Sequence, residues 1–343
     1  DIQSCMWPQI HSSYRHTIII SSDVPDLCSQ FLLPLLNNVI QSPQRRTRSD
    51  CMRPIAIIFA HNSNKVKEIV KMCRGHDLKI IEAIGLCGDK KSDLIQGCDI
   101  LVTTLPAFTR LTDNISLKLI DMNRLCHVAF NEFDQMERYE EDLNRVLKLC
   151  FSDSQKIPQI VITSRVHCND IKRKFLMQLP SDKTVLCIDN FLEAAIFAGM
   201  EIKSQVCDSF EAKVKLLMGE KVAENTAIIV KDEKSVERLK EVISGVLITT
   251  DTSKTTSCEH LIHFSLPKSQ KLFADRFKMM TEKIYDKLKG VDVKLTTNIM
   301  FDEDNLTEFE SFMSFMVARK VVKGNSEILE KIKLNREAIK CEK

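Results

Sequence analysis

Val128-Ala-Phe-Asn-Glu-Phe-Asp134 is a short apolar run that stops abruptly at a polar and acidic corner. Runs of the same kind recur at residues 17–21, 55–60, 79–83, 99–104 and 159–163. Strands that are apolar at nearly every position belong to a parallel sheet covered on both faces, because neither side of such a strand meets water. Between the runs, residues 64–75 and 137–151 space their apolar side chains three and four apart, as amphipathic helices do. Strand and helix alternate, so the first half is α/β.

A second series follows at residues 183–188, 203–206, 226–231, 245–250, 260–264 and 292–299, again with helical spacing between the runs. The polar stretch Gln178-Leu-Pro-Ser-Asp-Lys183 marks a junction near Pro180. The expected organisation is therefore two α/β domains in tandem, 1–180 and 181–343. Residues 318–343 read as a solvated C-terminal helix packed on the second domain or as a partner-binding face.

Composition narrows the function classes. The 343 residues are 44% hydrophobic, enough for two cores, and the 49 basic and 47 acidic residues leave a net charge of only +2. Any nucleic-acid binding must be local. The 13 cysteines form no Cys-x-x-Cys pair and the eight histidines lack metal-ligand spacing, which predicts neither a disulfide framework nor a metal site. A reducing, cytoplasmic compartment is expected, with no membrane span, since no apolar run approaches roughly 20 residues. The opening lacks a signal peptide and reads like the middle of a domain, which predicts a fragment of something longer. Residues 42–53 carry Arg45, Arg46 and Arg48 and read either as a solvated loop or as a loop contacting RNA or a partner.

A resemblance emerges from the order of several motifs. Ile2-Gln3 with Trp7-Pro8, Phe31-Leu-Leu-Pro-Leu-Leu36, Ile100-Leu-Val-Thr-Thr-Leu-Pro106, Asn131-Glu-Phe-Asp134 and Ile160-Val-Ile-Thr-Ser-Arg165 resemble, in order and spacing, the first lobe of a DEAD-box helicase. Ala227-Ile-Ile-Val230, Val246-Leu-Ile-Thr-Thr-Asp251 and His260-Leu-Ile-His-Phe-Ser-Leu-Pro267 resemble the second. The resemblance covers nearly the whole chain and implies two RecA-like lobes. Only fifteen residues separate Val230 from Val246, where the family has a helix, a strand and another helix, so the second lobe reads as trimmed.

Departures from the family pattern carry the functional expectation. A phosphate loop needs glycines, a lysine and a hydroxyl. Here Asp23-Val-Pro-Asp-Leu-Cys28 stands in that place. Leu27 replaces the lysine, Cys28 replaces the hydroxyl, Pro25 removes a donor, and Asp23 and Asp26 repel phosphate. Asn131 replaces the metal-holding aspartate of the tetrad, while Glu132 and Asp134 remain, either as caps of neighbouring loops or as catalytic remnants. The resemblance puts Gln3, Leu27, Cys28 and Asn131 at a degenerate nucleotide site. It puts Arg276 on the first arginine finger, with Met279 and Glu282 on the later arginine positions. Arg110 and Lys254 are the remaining RNA-contact candidates.

The degenerate core, shortened second lobe and many cysteines resemble the Tudor-domain helicase-like proteins of the piRNA pathway. That resemblance implies a germline RNA-granule protein whose partners are Piwi-pathway proteins, with Tudor domains elsewhere in the molecule. The leading expectation is a noncatalytic scaffold holding RNA, single-stranded or piRNA precursor, or a Piwi-pathway partner, with no cofactor. An ATP-dependent RNA remodeller using ATP and magnesium is the enzymatic alternative. A self-association module, closed by packing of Leu27 and Phe133, is the third.

Overall fold

The computed structural model describes residues 2–301 except 12–13, 23, 44–52, 85–96, 113–123, 152–156, 169, 208, 220–222, 224, 252–256 and 268. Asp23, Arg45, Arg46, Arg48, Lys254 and the 318–343 segment lie outside the described residues. The chain divides into two compact units, Asp1–Asp189 and Asn190–Lys343.

In the first unit the helices are α1 (Ile2–His11), α2 (Leu32–Gln41), α3 (Ser63–Cys73), α4 (Leu105–Thr112) and α5 (Glu140–Cys150). The strands are β1 (His16–Ile20), β2 (Ala56–Ala60), β3 (Ile80–Ala83), β4 (Ile100–Thr103), β5 (His127–Asn131), β6 (Gln159–Ser164) and β7 (Thr184–Ile188). Among the described residues they form one seven-stranded parallel sheet in the order β3-β4-β2-β5-β6-β1-β7. Successive side chains of a strand point to opposite faces, and this sorts the core into two layers. Ile57, Phe59, Val128, Phe130, Ile160 and Ile162 meet α4 and α5 on one face. Ala56, Ile58, Ala129 and Val161 meet α2 and α3 on the other. Pro34 sits in the first turn of α2, where a missing N–H costs no helical bond, and Asn62 caps α3 by accepting from Lys65 N at 2.8 Å.

The second unit holds α6 (Phe191–Phe197), α7 (Phe210–Gly219), α8 (Glu233–Lys240), α9 (Gln270–Arg276) and α10 (Thr281–Leu288). Its strands are β8 (Glu201–Val206), β9 (Thr226–Val230), β10 (Leu247–Thr250), β11 (His260–His263) and β12 (Thr296–Phe301), a parallel sheet ordered β10-β9-β11-β12-β8. Again alternate residues face two apolar layers: Ala227, Ile229 and Leu261 on one side, Ile228, Val230 and Ile262 on the other. Between β9 and β10 the chain makes the single helix α8, so the short 230–246 connection adds no strand to this sheet. Both units have the parallel-sheet α/β architecture that the sequence predicts.

One boundary moves. The expected division at Pro180 assigned residues 183–188 to the second domain, yet β7 pairs in register with β1 from His16↔Thr184 to Ile20↔Ile188. The division falls instead between Asp189 and Asn190. Pro180 begins only a short connection, a single 3-10 turn at Ser181–Lys183, ahead of the first unit's edge strand.

Candidate functional site

Ligands of open parallel sheets sit beyond the carboxyl ends of the strands, where neighbouring connections leave in opposite directions. The chain leaves β1 towards β2, but leaves β6 for β7 on the far side of β1. The loops after β1 and β6 therefore diverge. Joined by the ends of β5 and β2, they bring residues 24–28, Ser164, Arg165, Asn131, Glu132 and His61 into one corner of the first unit.

The loop after β1 is closed from within. Leu27 and Cys28 are fully buried, and Cys28 lies in the apolar layer with Phe31 and Leu35, where burial pushes its thiol pKa well up. Asp26 Oδ1 accepts from Cys28 N at 3.2 Å and from Lys65 Nζ at 3.0 Å. Burial lowers the Lys65 pKa, but its hydrogen bonds to Asp26 and Glu68 outweigh burial and hold the ammonium above its ordinary value. The side chain of Gln3 reaches the same loop, with Nε2 donating to Ser29 O at 3.3 Å.

Arg165 is the centre of the corner. Its guanidinium donates to Val24 O at 3.0 Å and Pro25 O at 3.1 Å, and to Glu132 Oε1 at 3.3 Å. The loop thus turns carbonyl oxygens, not N–H groups, towards its occupant. The base of the arginine is fixed by Asp134, whose Oδ1 accepts from Arg165 N at 3.0 Å and from Ser164 Oγ at 3.1 Å. Asp134 here orients the turn after β6.

Glu132 has a left-handed backbone, φ 59° and ψ 58°, although it is not glycine. Such a conformation costs of order 1–3 kcal/mol and persists only where neighbours fix it. Three do so. Glu132 N donates to Thr163 Oγ1 at 3.2 Å, Oε1 faces Arg165, and Oε2 lies 2.9 Å from His61 Nδ1, within ion-pairing range although not aligned as a hydrogen bond. Phe133 anchors the next residue, fully buried and edge-on to Phe130 and Phe175, with centroids 6.0 and 5.3 Å away. Asn131 is buried, its Oδ1 accepts from Thr163 Oγ1 at 3.2 Å, and its Nδ2 has no hydrogen-bond partner among the described residues.

In the second unit, Arg276 is placed otherwise than an exposed finger requires. It ends α9 with its side chain 2% exposed and grips Asp251 with two parallel bonds, Nε–Oδ1 2.5 Å and Nη2–Oδ2 2.8 Å. Nη1 donates to Ser265 O at 2.6 Å and lies 3.2 Å from His263 Nδ1. His263 packs against Phe273 and Phe277, and burial, followed by the adjoining guanidinium, pushes its pKa well below 6.5. Arg276 is therefore a pin between β11 and the end of β10.

The structure brings Leu27, Cys28, Asn131, Glu132 and Asp134 to this one corner. Arg110 stands apart from this corner, exposed on the last turn of α4. Sequence reading missed Arg165, Lys65 and the role of His61. The signal was present in Pro25 and Asp26, which make the loop hungry for a cation.

No family model matches the chain. It is 22% identical to the "Putative ATP-dependent RNA helicase TDRD12" of Bombyx mori over 88% of this chain and 20% of that one. Human TDRD12 is 21% identical over 82% of this chain and 28% of its own length. The pre-mRNA-splicing ATP-dependent RNA helicase Prp28 of Yarrowia lipolytica is 28% identical over 37% of this chain and 23% of its own. The chain spans less than a third of each of these relatives. Among solved structures, yeast Prp28 aligns with a TM-score of 0.47 at 16% identity over 94% of this chain and 85% of that one. A DEAD-box protein from Methanococcus jannaschii aligns with 0.47 at 14% over 94% and 91%. The curated relatives are thus RNA helicases at low identity, TDRD12 and Prp28.

Proposed function

We propose that this chain, whose homologues are Tudor-domain helicase-like proteins and DEAD-box helicases, is a noncatalytic helicase-like module of a piRNA-pathway protein. It holds RNA as a scaffold without an ATP cycle, alongside Piwi-pathway partners, in a cytoplasmic germline granule. The observation that carries the noncatalytic reading is the Arg165 guanidinium on the carbonyl oxygens of Val24 and Pro25 and on Glu132.

A magnesium nucleotide does not fit these residues. Phosphate oxygens need N–H donors and a cation at the loop, whereas this loop offers two carbonyl acceptors, a proline without an N–H and two buried apolar side chains. Lys65 is committed to Asp26 and Glu68. Glu132, which would position an attacking water, faces Arg165 and His61. Arg276 has its donors on Asp251 and Ser265. The piRNA assignment rests on the resemblance of the motifs to Tudor-domain helicase-like proteins, and the two TDRD12 relatives, both described as RNA helicases, are consistent with it.

The test is RNA binding by the purified chain across a salt series, with and without ATP and magnesium. Binding that weakens with salt through phosphate contacts and is indifferent to ATP supports the scaffold. Binding that requires ATP overturns the noncatalytic reading in favour of a remodelling enzyme. Absence of RNA binding at low salt overturns the RNA role and moves it to protein partners.

A further inference from the structure

We propose that the crevice formed by Val24 O, Pro25 O and the Glu132 carboxylate is a guanidinium-binding site, occupied in cis by Arg165 as a tethered ligand. The proposal deepens the reading of this loop as unfit for phosphate. The three acceptors lie 3.0, 3.1 and 3.3 Å from the Arg165 terminal nitrogens, and two of them share Nη2. Such a set selects a planar fork of donors: a guanidinium meets several acceptors at once from fixed directions, whereas an ammonium is a compact point charge that must choose among them. The site carries only negative or partly negative groups towards its occupant, so its ligand is a cation and not an anion.

The arginine is well suited to act as a ligand. Its backbone N–H is held by Asp134, so the arm leaves from a fixed root, while the side chain is 34% exposed. A small planar cation from solution therefore has a route to the same acceptors once the arm is cut back. Tethering explains why the site stays hidden in the intact chain, since a ligand on a short arm outcompetes free guanidinium by its effective concentration.

Guanidinium rescue of the full chain tests this. Arg165→Ala is expected to lower the thermal midpoint, and millimolar guanidinium chloride, far below the molar range in which that ion unfolds proteins, is expected to raise it again in a saturable way. Sodium chloride at equal ionic strength should not, and neither salt should raise the midpoint of the unsubstituted chain. Adding Glu132→Gln to Arg165→Ala should abolish the recovery. An Arg165→Ala protein that guanidinium raises no more than sodium overturns the proposal. Should Arg165→Ala not fold, Arg165→Lys serves: lysine keeps the charge but not the fork, so its midpoint must fall and guanidinium must restore it, and a lysine variant as stable as the parent overturns the site. Nucleotide binding by the unsubstituted chain would sink the noncatalytic reading alone, leaving guanidinium recovery to be judged separately.

Discussion

Two arginines, one in each unit, end up facing inward, and they do so to different degrees. Arg276 is 2% exposed and meets a carboxylate with two parallel bonds, whereas Arg165 is 34% exposed and meets one carboxylate oxygen at 3.3 Å and two carbonyls. Burial decides what each is worth. An ion pair in contact with water contributes up to about 1 kcal/mol, because solvent screens it and the side chain loses freedom. A buried pair adds little over an apolar replacement, yet removing one partner strands the other charge and costs about 3–5 kcal/mol. The first unit therefore holds an adjustable arm and the second a structural pin, although in sequence both are single arginines at family motifs.

The sharpest way to break this contrast is Arg276→Ala. It should destabilise the second unit by about 3 kcal/mol in chemical denaturation, and a loss under about 1 kcal/mol would put the pin on the same footing as the arm. Acid comes next. His263 has its pKa depressed by burial and by Arg276, so the unfolded chain takes up that proton first, and the stability it contributes is full above pH 6.5 and declines as pH falls below it. Denaturation midpoints between pH 8 and pH 5, as an order of range, should therefore fall with acid, and His263→Gln should flatten the slope. Arg165→Ala should cost about 1–2 kcal/mol, since two bonds from a charged donor are lost along with a screened ion pair. Smallest is Glu132→Gly, where relief of a left-handed backbone worth about 1 kcal/mol offsets the lost contacts with Arg165 and His61, leaving a change within about 0.5 kcal/mol. A larger loss there would mean that the Arg165 pair is stronger than its exposure allows.

The strands were legible because a parallel sheet buried on both faces writes itself as apolar runs, and every run read from the sequence overlaps a strand, although residues 292–295 of the last run precede β12. Sheet membership was not legible for β7. Its partner β1 lies far back in the chain, at His16–Ile20, while the nearby signals, Pro180 and its polar neighbours, are local and speak only of a turn. The candidate corner was half legible. Leu27, Cys28 and Asn131 announced what the loop lacks, because they depart from a pattern with fixed chemical needs. What fills it was hidden, since Arg165 reaches carbonyl oxygens of Val24 and Pro25, and backbone carbonyls leave no mark on a sequence. Arg276 was found by motif but not by role, which depends on Asp251 at the end of another strand.

The place of β7 also bears on how the first unit survives by itself. β1 reads His-Thr-Ile-Ile-Ile, uncharged at neutral pH and rich in β-branched residues, and its strand is wholly buried. Cut the chain at Pro180 and one entire side of that strand loses its partner, leaving a bare row of N–H and C=O groups that another molecule can extend into an intermolecular sheet. Cut it after Asp189 and the row stays covered, with the Ser21 hydroxyl still donating to Asp189. Nine residues thus decide whether the sheet ends on the wholly buried β1 or on the half-buried β7.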